Sequence, residues 1–514
     1  MHKFQKLENN RYCQNILENN KQPERLAERE ENYTYLLILF LIDTEMNTII
    51  QFLFLCLPGI LHAQDGNIQP KGCTEESVAK IYADTPYPPR NPNDEKDGII
   101  TYKKHEDPNL IRSTIFGGAK LPKKFRAMIA GGGTGDATIA LAIGLAKLNH
   151  KSTILHVDLS QASLNVAKAR IRKHKKTLKN SSVKILFLKA SISNLADRDL
   201  GGLFHYINCV GVLHHMPNPQ HGLSILESFL HPNGGINFMI YGKIGRTGIY
   251  HVRKMARILN NDQNDMPTII ESKDVLDSLP STNFFVNNKM VQESVDVQDF
   301  LSEASNHVGI NDMIRNPCDI AMTIDEVNQF ALNSNMRILA PVFPKDYEPK
   351  GNQNLLSKLN SLEWIKRAAF SELQSGTIAY HHVWLVKNKN NVIPTEKIPW
   401  NKQSIPCRAD WMPGDFMPFE DANQGLLDES IRYETSIGGD ETVEQINDKG
   451  LPALGPTIIF HMNCYATLNE IFTFVKEEAS WDVDWDTFLE HANEWRASMS
   501  KARAVHTLLE KFDV

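Results

Sequence analysis

Between residues 124 and 250, short apolar runs alternate with amphipathic stretches. Each apolar run has the length of a strand, and the stretch after residue 135 repeats apolar residues every three or four positions, as a helix does. This alternation predicts an α/β fold with a parallel, Rossmann-like sheet, right-handed crossovers and helices on both faces. The expected strands are 125–130, 152–159, 183–188, 206–212 and 236–241, and the expected helices are 136–148, 160–176 and 222–230.

A glycine-rich loop joins the first expected strand to the first helix. Gly131, Gly133 and Gly135 lie where the backbone must turn sharply and let a ligand approach closely. A dinucleotide fingerprint, G-x-G-x-x-G, would need glycine at the position of Asp136. A carboxylate there suits the helix dipole, but it competes with a pyrophosphate for the same N–H groups. The loop therefore favours a ligand without phosphate.

Asp158 ends the second expected strand. A carboxylate at this strand tip can accept hydrogen bonds from both ribose hydroxyls of an adenosine. The alternative is a capping role at the start of the next helix, near Ser160. Together with the glycine loop, Asp158 favours S-adenosylmethionine over a nicotinamide dinucleotide.

Six segments of the chain carry a family resemblance: 87–92 (YPPRNP), 125–136 (FRAMIAGGGTGD), 157–160 (VDLS), 209–219 (CVGVLHHMPNP), 241–250 (YGKIGRTGIY) and 319–327 (DIAMTIDEV). By these segments, residues 80–250 resemble class I S-adenosylmethionine-dependent methyltransferases of a bacterial-type group, and a weaker likeness extends to about residue 390. The motifs are quite specific for the cofactor and carry little information about the methyl acceptor.

The resemblance implies a cofactor-binding set at the ends of the strands and in the segment before the sheet. Asp158 would hold the ribose, and Leu159 would lie against the adenine. Two positions depart from the family pattern: Ile129 replaces an acid two positions before the glycine loop, and Ser191 stands where many relatives carry an acid. The full set is Gly131, Gly132, Gly133, Gly135, Asp158, Leu159, Ser191, Val210, Leu213 and Tyr82.

His214 and His215 follow the fourth expected strand, at the mouth of the expected crevice. A histidine with a near-neutral pKa could remove a proton from the methyl acceptor. The alternative is that the pair only packs and hydrogen-bonds around the cofactor. Metal-ligand spacing of histidines with carboxylates is lacking, so no metal is expected.

The N-terminal part, residues 1–75, is expected to lie outside the fold as a leader or extension. Its apolar segment 35–61 is interrupted by charges, and a membrane contact is expected only if this segment is retained. Read from Met46, the stretch 46–63 has the length of a signal-peptide core and ends at Ala63, but it lacks a positive start. The resemblance implies a cytoplasmic protein, whereas a start at Met46 would permit secretory entry.

The resemblance implies a methyltransferase domain at 76–260, followed by a mixed α/β extension at 261–390 that caps the site. Pro394, Pro399 and Pro406 mark 391–410 as a linker. Residues 411–514 are expected to form a small helix-rich domain, and a winged-helix-like module is one arrangement that its spacing allows. A capping box at Thr467 opens one of its helices.

Composition adds two exclusions. Across 514 residues, 55 Lys and Arg face 61 Asp and Glu, and the net charge of −6 gives no electrostatic reason to expect a nucleic-acid partner. The seven cysteines are scattered without a C-x-x-C pair, so neither a zinc knuckle nor a dense disulfide framework is expected.

The sequence thus predicts a methyltransferase that acts on a small molecule or a peptide. The alternative is a non-catalytic binding protein that keeps the fold as a scaffold. The identity of the acceptor and the oligomeric state stay open.

Overall fold

A mixed sheet organises the protein, which we describe from a computed structural model. The structure describes residues 72–97, 106–259, 268–288, 308–394, 401–408, 467–477, 484–490, 492–493 and 505–508. The strands are β1 (Phe125–Ala130), β2 (Ser152–Asp158), β3 (Val183–Lys189), β4 (Phe204–Val210), β5 (Leu230–Gly242), β6 (Ala321–Met322), β7 (Met336–Pro341) and β8 (Tyr380–Lys387). Their order is β3-β2-β1-β4-β5-β8-β7, with β6 paired to β5.

The pairing follows the doubly wound pattern. Strands β1 to β5 pair in parallel, and β8 runs antiparallel to both β5 and β7. Strand order reverses between β1 and β4, so a crevice opens there at the carboxyl ends of the strands. The α/β Rossmann-like fold expected from the sequence is confirmed.

Helices cover both faces of this sheet. Alternate residues of β1 enter opposite cores: Ala127 and Ile129 join one apolar cluster, and Met128 and Ala130 join the other. The helices are α1 (Glu75–Asp84), α2 (Pro108–Ile115), α3 (Asp136–Lys147), α4 (Gln161–Lys173), α5 (Lys175–Lys179), α6 (Pro219–Ser228), α7 (Thr247–Leu259), α8 (Ile269–Asp277), α9 (Phe284–Asn287), α10 (Val308–Ile310), α11 (Ile324–Asn333), α12 (Gln353–Asn360) and α13 (Trp364–Ser375).

Two parts of the sheet differ from the expectation. Strand β5 begins at Leu230 and not at residue 236, because it already pairs with β4 there and continues through a register shift to Gly235. The extension at 261–390 supplies β7 and β8, so the expected boundary at residue 260 falls between strands of one sheet. These strands complete the core on which the crevice is built.

In the C-terminal part, β9 (Ile405–Arg408) pairs antiparallel with β10 (Val505–Leu508), and the expected linker therefore ends in a strand. Helix α14 (Leu468–Glu477) begins at the expected capping box, where Thr467 and Glu470 exchange hydrogen bonds. Residues 1–71, most of the expected leader 1–75, and residues 411–466 of the expected small domain lie outside the described residues. Within the described residues, no helix has the length and apolar character that a membrane span requires.

Candidate active site

The crevice at the switch point encloses about 740 Å³, including space at its open mouth. Its walls come from α1, the lead-in segment that follows it (residues 85–97), and the loops after β1 to β4. The lining residues are Glu75, Val78, Tyr82, Tyr87, Gly131, Gly133, Asp158, Leu159, Ser163, Ala190, Ser191, Ile192, Gly211, Val212, His215, Met216 and Pro217.

The glycine loop forms the floor of the crevice. Gly131 and Gly133 have positive φ angles of 69° and 53°, which side chains rarely adopt. A Cβ on Gly131 would overlap the Val212 side chain, and one on Gly133 would overlap the carbonyl oxygen of Tyr87. Thr134 donates its backbone N–H to the same Tyr87 oxygen at 3.1 Å. The lead-in segment therefore lies directly on the loop.

The other two predicted glycines do not line the crevice. A Cβ on Gly132 would overlap the ring of His156, a buried residue that contacts Thr138 at 2.7 Å. Burial lowers the pKa of His156 to about 4. The Cβ position of Gly135 lies 3.0 Å from that of Ala167, so this glycine lets α3 and α4 pack closely.

Asp158 is the last residue of β2, and its carboxylate reaches the loop that follows β1. One carboxylate oxygen accepts the Gly133 N–H at 2.7 Å, and the other accepts the Ser160 N–H at 2.7 Å. Burial raises the pKa of Asp158, and these two donors offset part of the rise. Ser160 itself caps α4, accepting the Ser163 N–H at 3.2 Å. Asp158 thus organises the loop while it faces the crevice.

An ion-pair network closes the N-terminus of α3. Asp136 pairs with Arg90 at 2.7 Å and with Arg170 at 2.5 Å. Arg170 is fully buried and also donates from Nε to Glu95 at 2.7 Å. Because carboxylates and the lead-in segment already occupy this helix end, it offers no open cradle for a pyrophosphate. This geometry agrees with the sequence interpretation that Asp136 disfavours a ligand with a pyrophosphate.

The two histidines occupy different environments. His215 lines the crevice; its Nδ1 donates to the carbonyl oxygen of Cys318 at 2.7 Å, and its Nε2 lies 3.5 Å from Asp312. His214 is fully buried and stacks on Tyr241 with a ring separation of 3.6 Å. Burial, His215 and Arg246 lower the pKa of His214 well below its usual value. His214 therefore packs the wall, whereas His215 faces the ligand space.

Asp312 is a site residue that the sequence did not suggest. Its carboxylate accepts from the Tyr82 hydroxyl at 2.5 Å and from the Tyr241 hydroxyl at 2.9 Å, and it is 3% exposed. Burial, with Asp312 nearby, raises the pKa of Tyr82 well above its usual value, so this phenol stays a hydrogen-bond donor. Asp312 lies in a π-helical turn, 230 residues beyond Tyr82. The amino-acid pattern around it offers no indication of this contact.

A disulfide between Cys73 and Cys318 lies behind the same wall. Both residues are buried, at 7% and 0% exposure, and they form a small apolar cluster with Val78, Tyr82 and Leu159. The cysteine spacing gave no reason to pair residues 245 positions apart. The described residues contain no cluster of His, Cys, Asp or Glu that could hold a metal ion.

The structure brings most of the predicted set together. Val210 ends β4 beside the crevice without lining it, and Leu213 is fully buried in the core, while Gly211 and Val212 between them provide that wall. Glu75 and Val78 were missed, although the amphipathic pattern of α1 could have placed them beside Tyr82. The predicted residues that line the crevice are Tyr82, Gly131, Gly133, Asp158, Leu159, Ser191 and His215.

Comparisons with known proteins agree with this architecture. Residues 128–236 match the model of a methyltransferase domain. An uncharacterised protein of Synechococcus is 29% identical over 210 residues, which are 40% of this chain and 47% of that protein, so the match spans about half of the relative.

The fold is similar to PKMT2 from Rickettsia typhi, with a TM-score of 0.53 and 16% identity, over 80% of this chain and 76% of that one. A second structure of PKMT2, in complex with AdoHcy, has the same TM-score and covers 79% of this chain. At this identity the likeness concerns the fold alone. The domain match at residues 128–236 and the Rossmann-like sheet therefore agree with the resemblance to class I methyltransferases, the class whose methyl donor is S-adenosylmethionine.

Proposed function

We propose that the protein is an S-adenosylmethionine-dependent methyltransferase whose acceptor is a small molecule or a peptide. The observation that carries the proposal is the pairing of an acidic strand tip with a closed helix N-terminus. Asp158 presents a carboxylate to the crevice, while Asp136 and Arg90 occupy the end of α3 where a dinucleotide would need to place its phosphates. This combination suits a nucleoside that carries no phosphate.

The described residues suggest how the ligand is held. The backbone of Gly131 and Gly133 would lie against the methionine portion, because both glycines line the crevice. Asp158 would accept the ribose hydroxyls, and Leu159 and Ile192 would supply apolar contacts for the adenine. Ser191 donates to Glu75 at 2.8 Å, so that pair places a carboxylate where the serine alone provides none.

The bound cofactor would supply an electrophilic methyl group on a sulfonium. The task of the protein is to align an acceptor with it and, where the acceptor carries a proton, to remove that proton. His215 fits this second role: a carbonyl oxygen can only accept, so Nδ1 carries the hydrogen and Nε2 is the basic nitrogen of the neutral ring. Asp312 beside Nε2 would stabilise the imidazolium that forms.

Calorimetric titration of the full chain with S-adenosylmethionine, S-adenosylhomocysteine and NADH tests the cofactor. The full chain is needed because a start at residue 76 would remove Cys73 and Glu75 from the site. We expect both adenosyl ligands to bind and NADH to be silent. Silence from all three would overturn the proposal. Binding without turnover across small-molecule and peptide acceptors would favour the scaffold alternative.

A further inference from the structure

Helix α1 is a wall of the crevice that the sheet does not hold directly. It supplies Glu75, Val78 and Tyr82 to the lining, yet it precedes the first strand by some 40 residues of chain. Only Val78 and Ile81 of this helix are buried. A ten-residue helix has little stability by itself, so its place depends on what anchors it.

Hydrogen bonds anchor its C-terminal half. Ser160 donates to the Tyr82 carbonyl oxygen at 2.7 Å, and Asn316 donates to the Tyr82 hydroxyl at 3.2 Å. Near the N-terminus, Ser191 donates to Glu75. The partners of Tyr82, which also include Asp312, are buried, so these contacts hold the C-terminal half. The pair of Ser191 and Glu75 at the N-terminal end is only partly buried, and water competes for it.

The disulfide anchors the other end. Cys73 immediately precedes Thr74, the N-cap of α1, and it is bonded to Cys318. The Cys318 carbonyl oxygen in turn accepts from His215, which also lines the crevice. One covalent bond therefore ties the wall made by α1 to the segment that orients His215.

We propose that the Cys73–Cys318 disulfide clamps α1 over the crevice, so that tight cofactor binding requires the oxidised protein. This inference rests on the proposed function. Without the bond, α1 must dock from solution at an entropic cost, and the apparent affinity falls by the fraction of molecules in which it is docked. A docked fraction of about one tenth would weaken binding about tenfold.

The bond forms when the two thiols exchange with a donor disulfide, which takes up the two electrons and two protons as a pair of thiols. Such bonds persist in oxidising compartments and are rare in the cytosol. The clamp therefore favours the secretory route from Met46 over the cytoplasmic expectation. In this proposal the disulfide positions a wall of the crevice and is not needed to hold the sheet together.

The test compares four full-length proteins: wild type and the variants Cys73→Ser, Cys318→Ser and the double variant. S-adenosylhomocysteine is titrated into each, and hydrogen exchange of α1 is followed without ligand. We expect each single variant to bind about tenfold more weakly and the double variant to lose no more, because the first substitution already breaks the bond. Exchange in α1 should accelerate equally in all three variants, while β1 and β2 stay protected.

Unchanged affinity in the variants, or losses that add from single to double, would overturn the clamp. Wild type reduced with a dithiol is the control for a substitution that simply unfolds the protein, and a count of free thiols confirms the reduction. Its affinity for S-adenosylhomocysteine and the exchange rate of its α1 should match those of the double variant. If oxidised wild type fails to bind S-adenosylhomocysteine, the proposed function fails. The exchange rate of α1 then still decides whether the disulfide holds the helix.

Discussion

The Asp158 carboxylate accepts the backbone N–H of Gly133 at 2.7 Å, so the tip of β2 braces the loop that follows β1. The same carboxylate faces the ligand space. Replacing Asp158 with alanine would therefore remove a ligand contact and loosen the loop together. Asp158→Asn is the sharper substitution, because the amide oxygen can still accept one backbone N–H.

We expect Asp158→Asn to weaken S-adenosylhomocysteine binding by about 1.5–3 kcal/mol, the value of a hydrogen bond to a charged group. The pH dependence provides a second test. Burial raises the pKa of Asp158 above the ordinary aspartate value of about 3.9. As the pH is lowered, the wild-type carboxylate should therefore be protonated already above that value, and the affinity for S-adenosylhomocysteine should fall with it. Titrations at a series of pH values check this, and a flat wild-type profile would contradict it.

Gly133→Ala tests the contact between the loop and the lead-in segment. The new Cβ would meet the Tyr87 carbonyl oxygen rather than a ligand, so we expect both a loss of stability and a loss of cofactor binding. Gly376→Ala is the matched control, since Gly376 has a φ of 65° but no atom near its Cβ position. Strain alone costs about 1–3 kcal/mol at each site. Equal unfolding free energies for the two variants would argue against the clash.

Local features of this site could be predicted from sequence, and long-range ones could not. Strand β1, the Ser160 cap and the strand-tip position of Asp158 depend on neighbours within a few residues, which leave a pattern. The contact of Tyr82 with Asp312 and the bond of Cys73 with Cys318 join residues 230 and 245 positions apart. Such pairs are decided by how the extension folds back onto the sheet.

The histidine pair shows that even a local feature can be predicted only in part. Both side chains were expected at the crevice because the fourth strand ends just before them. Adjacent residues in a tight 3-10 turn point in different directions, so only His215 lines the crevice while His214 enters the core. The sequence pattern places the turn but not the orientation of each ring.

Phenylalanine substitutions separate the two histidines. His214→Phe keeps an aromatic ring against Tyr241 and should preserve both S-adenosylhomocysteine binding and turnover. His215→Phe should lower turnover by about 100-fold or more, the usual contribution of a general base, while cofactor affinity changes little. Turnover rates of the two variants, measured with an acceptor found by screening, check this expectation. Full turnover in His215→Phe would mean that the acceptor needs no base from this residue.

The buried pair of Arg170 and Glu95 should be a main anchor of the lead-in segment. Both side chains are fully buried, so Glu95→Gln leaves the guanidinium with less charge compensation. We expect a loss of about 3 kcal/mol in the free energy of unfolding, measured in urea. Glu227→Gln is the control: its pair with Lys387 is partly exposed, and the cost should stay below about 1 kcal/mol. Similar losses in the two variants would refute the anchoring role.

Asn180 offers a test of the compartment that the disulfide favours. It begins the triplet Asn180-Ser-Ser182, its side chain is exposed at the end of α5, and it is not among the residues that line the crevice. The other such triplet, at Asn32, precedes Met46 and would be absent from a chain started there. Expression of the full coding sequence in eukaryotic cells should therefore give a protein whose mobility shifts with a glycosidase, and Asn180→Gln should abolish the shift. An unshifted wild type whose Cys73 and Cys318 are free thiols would contradict the secretory route.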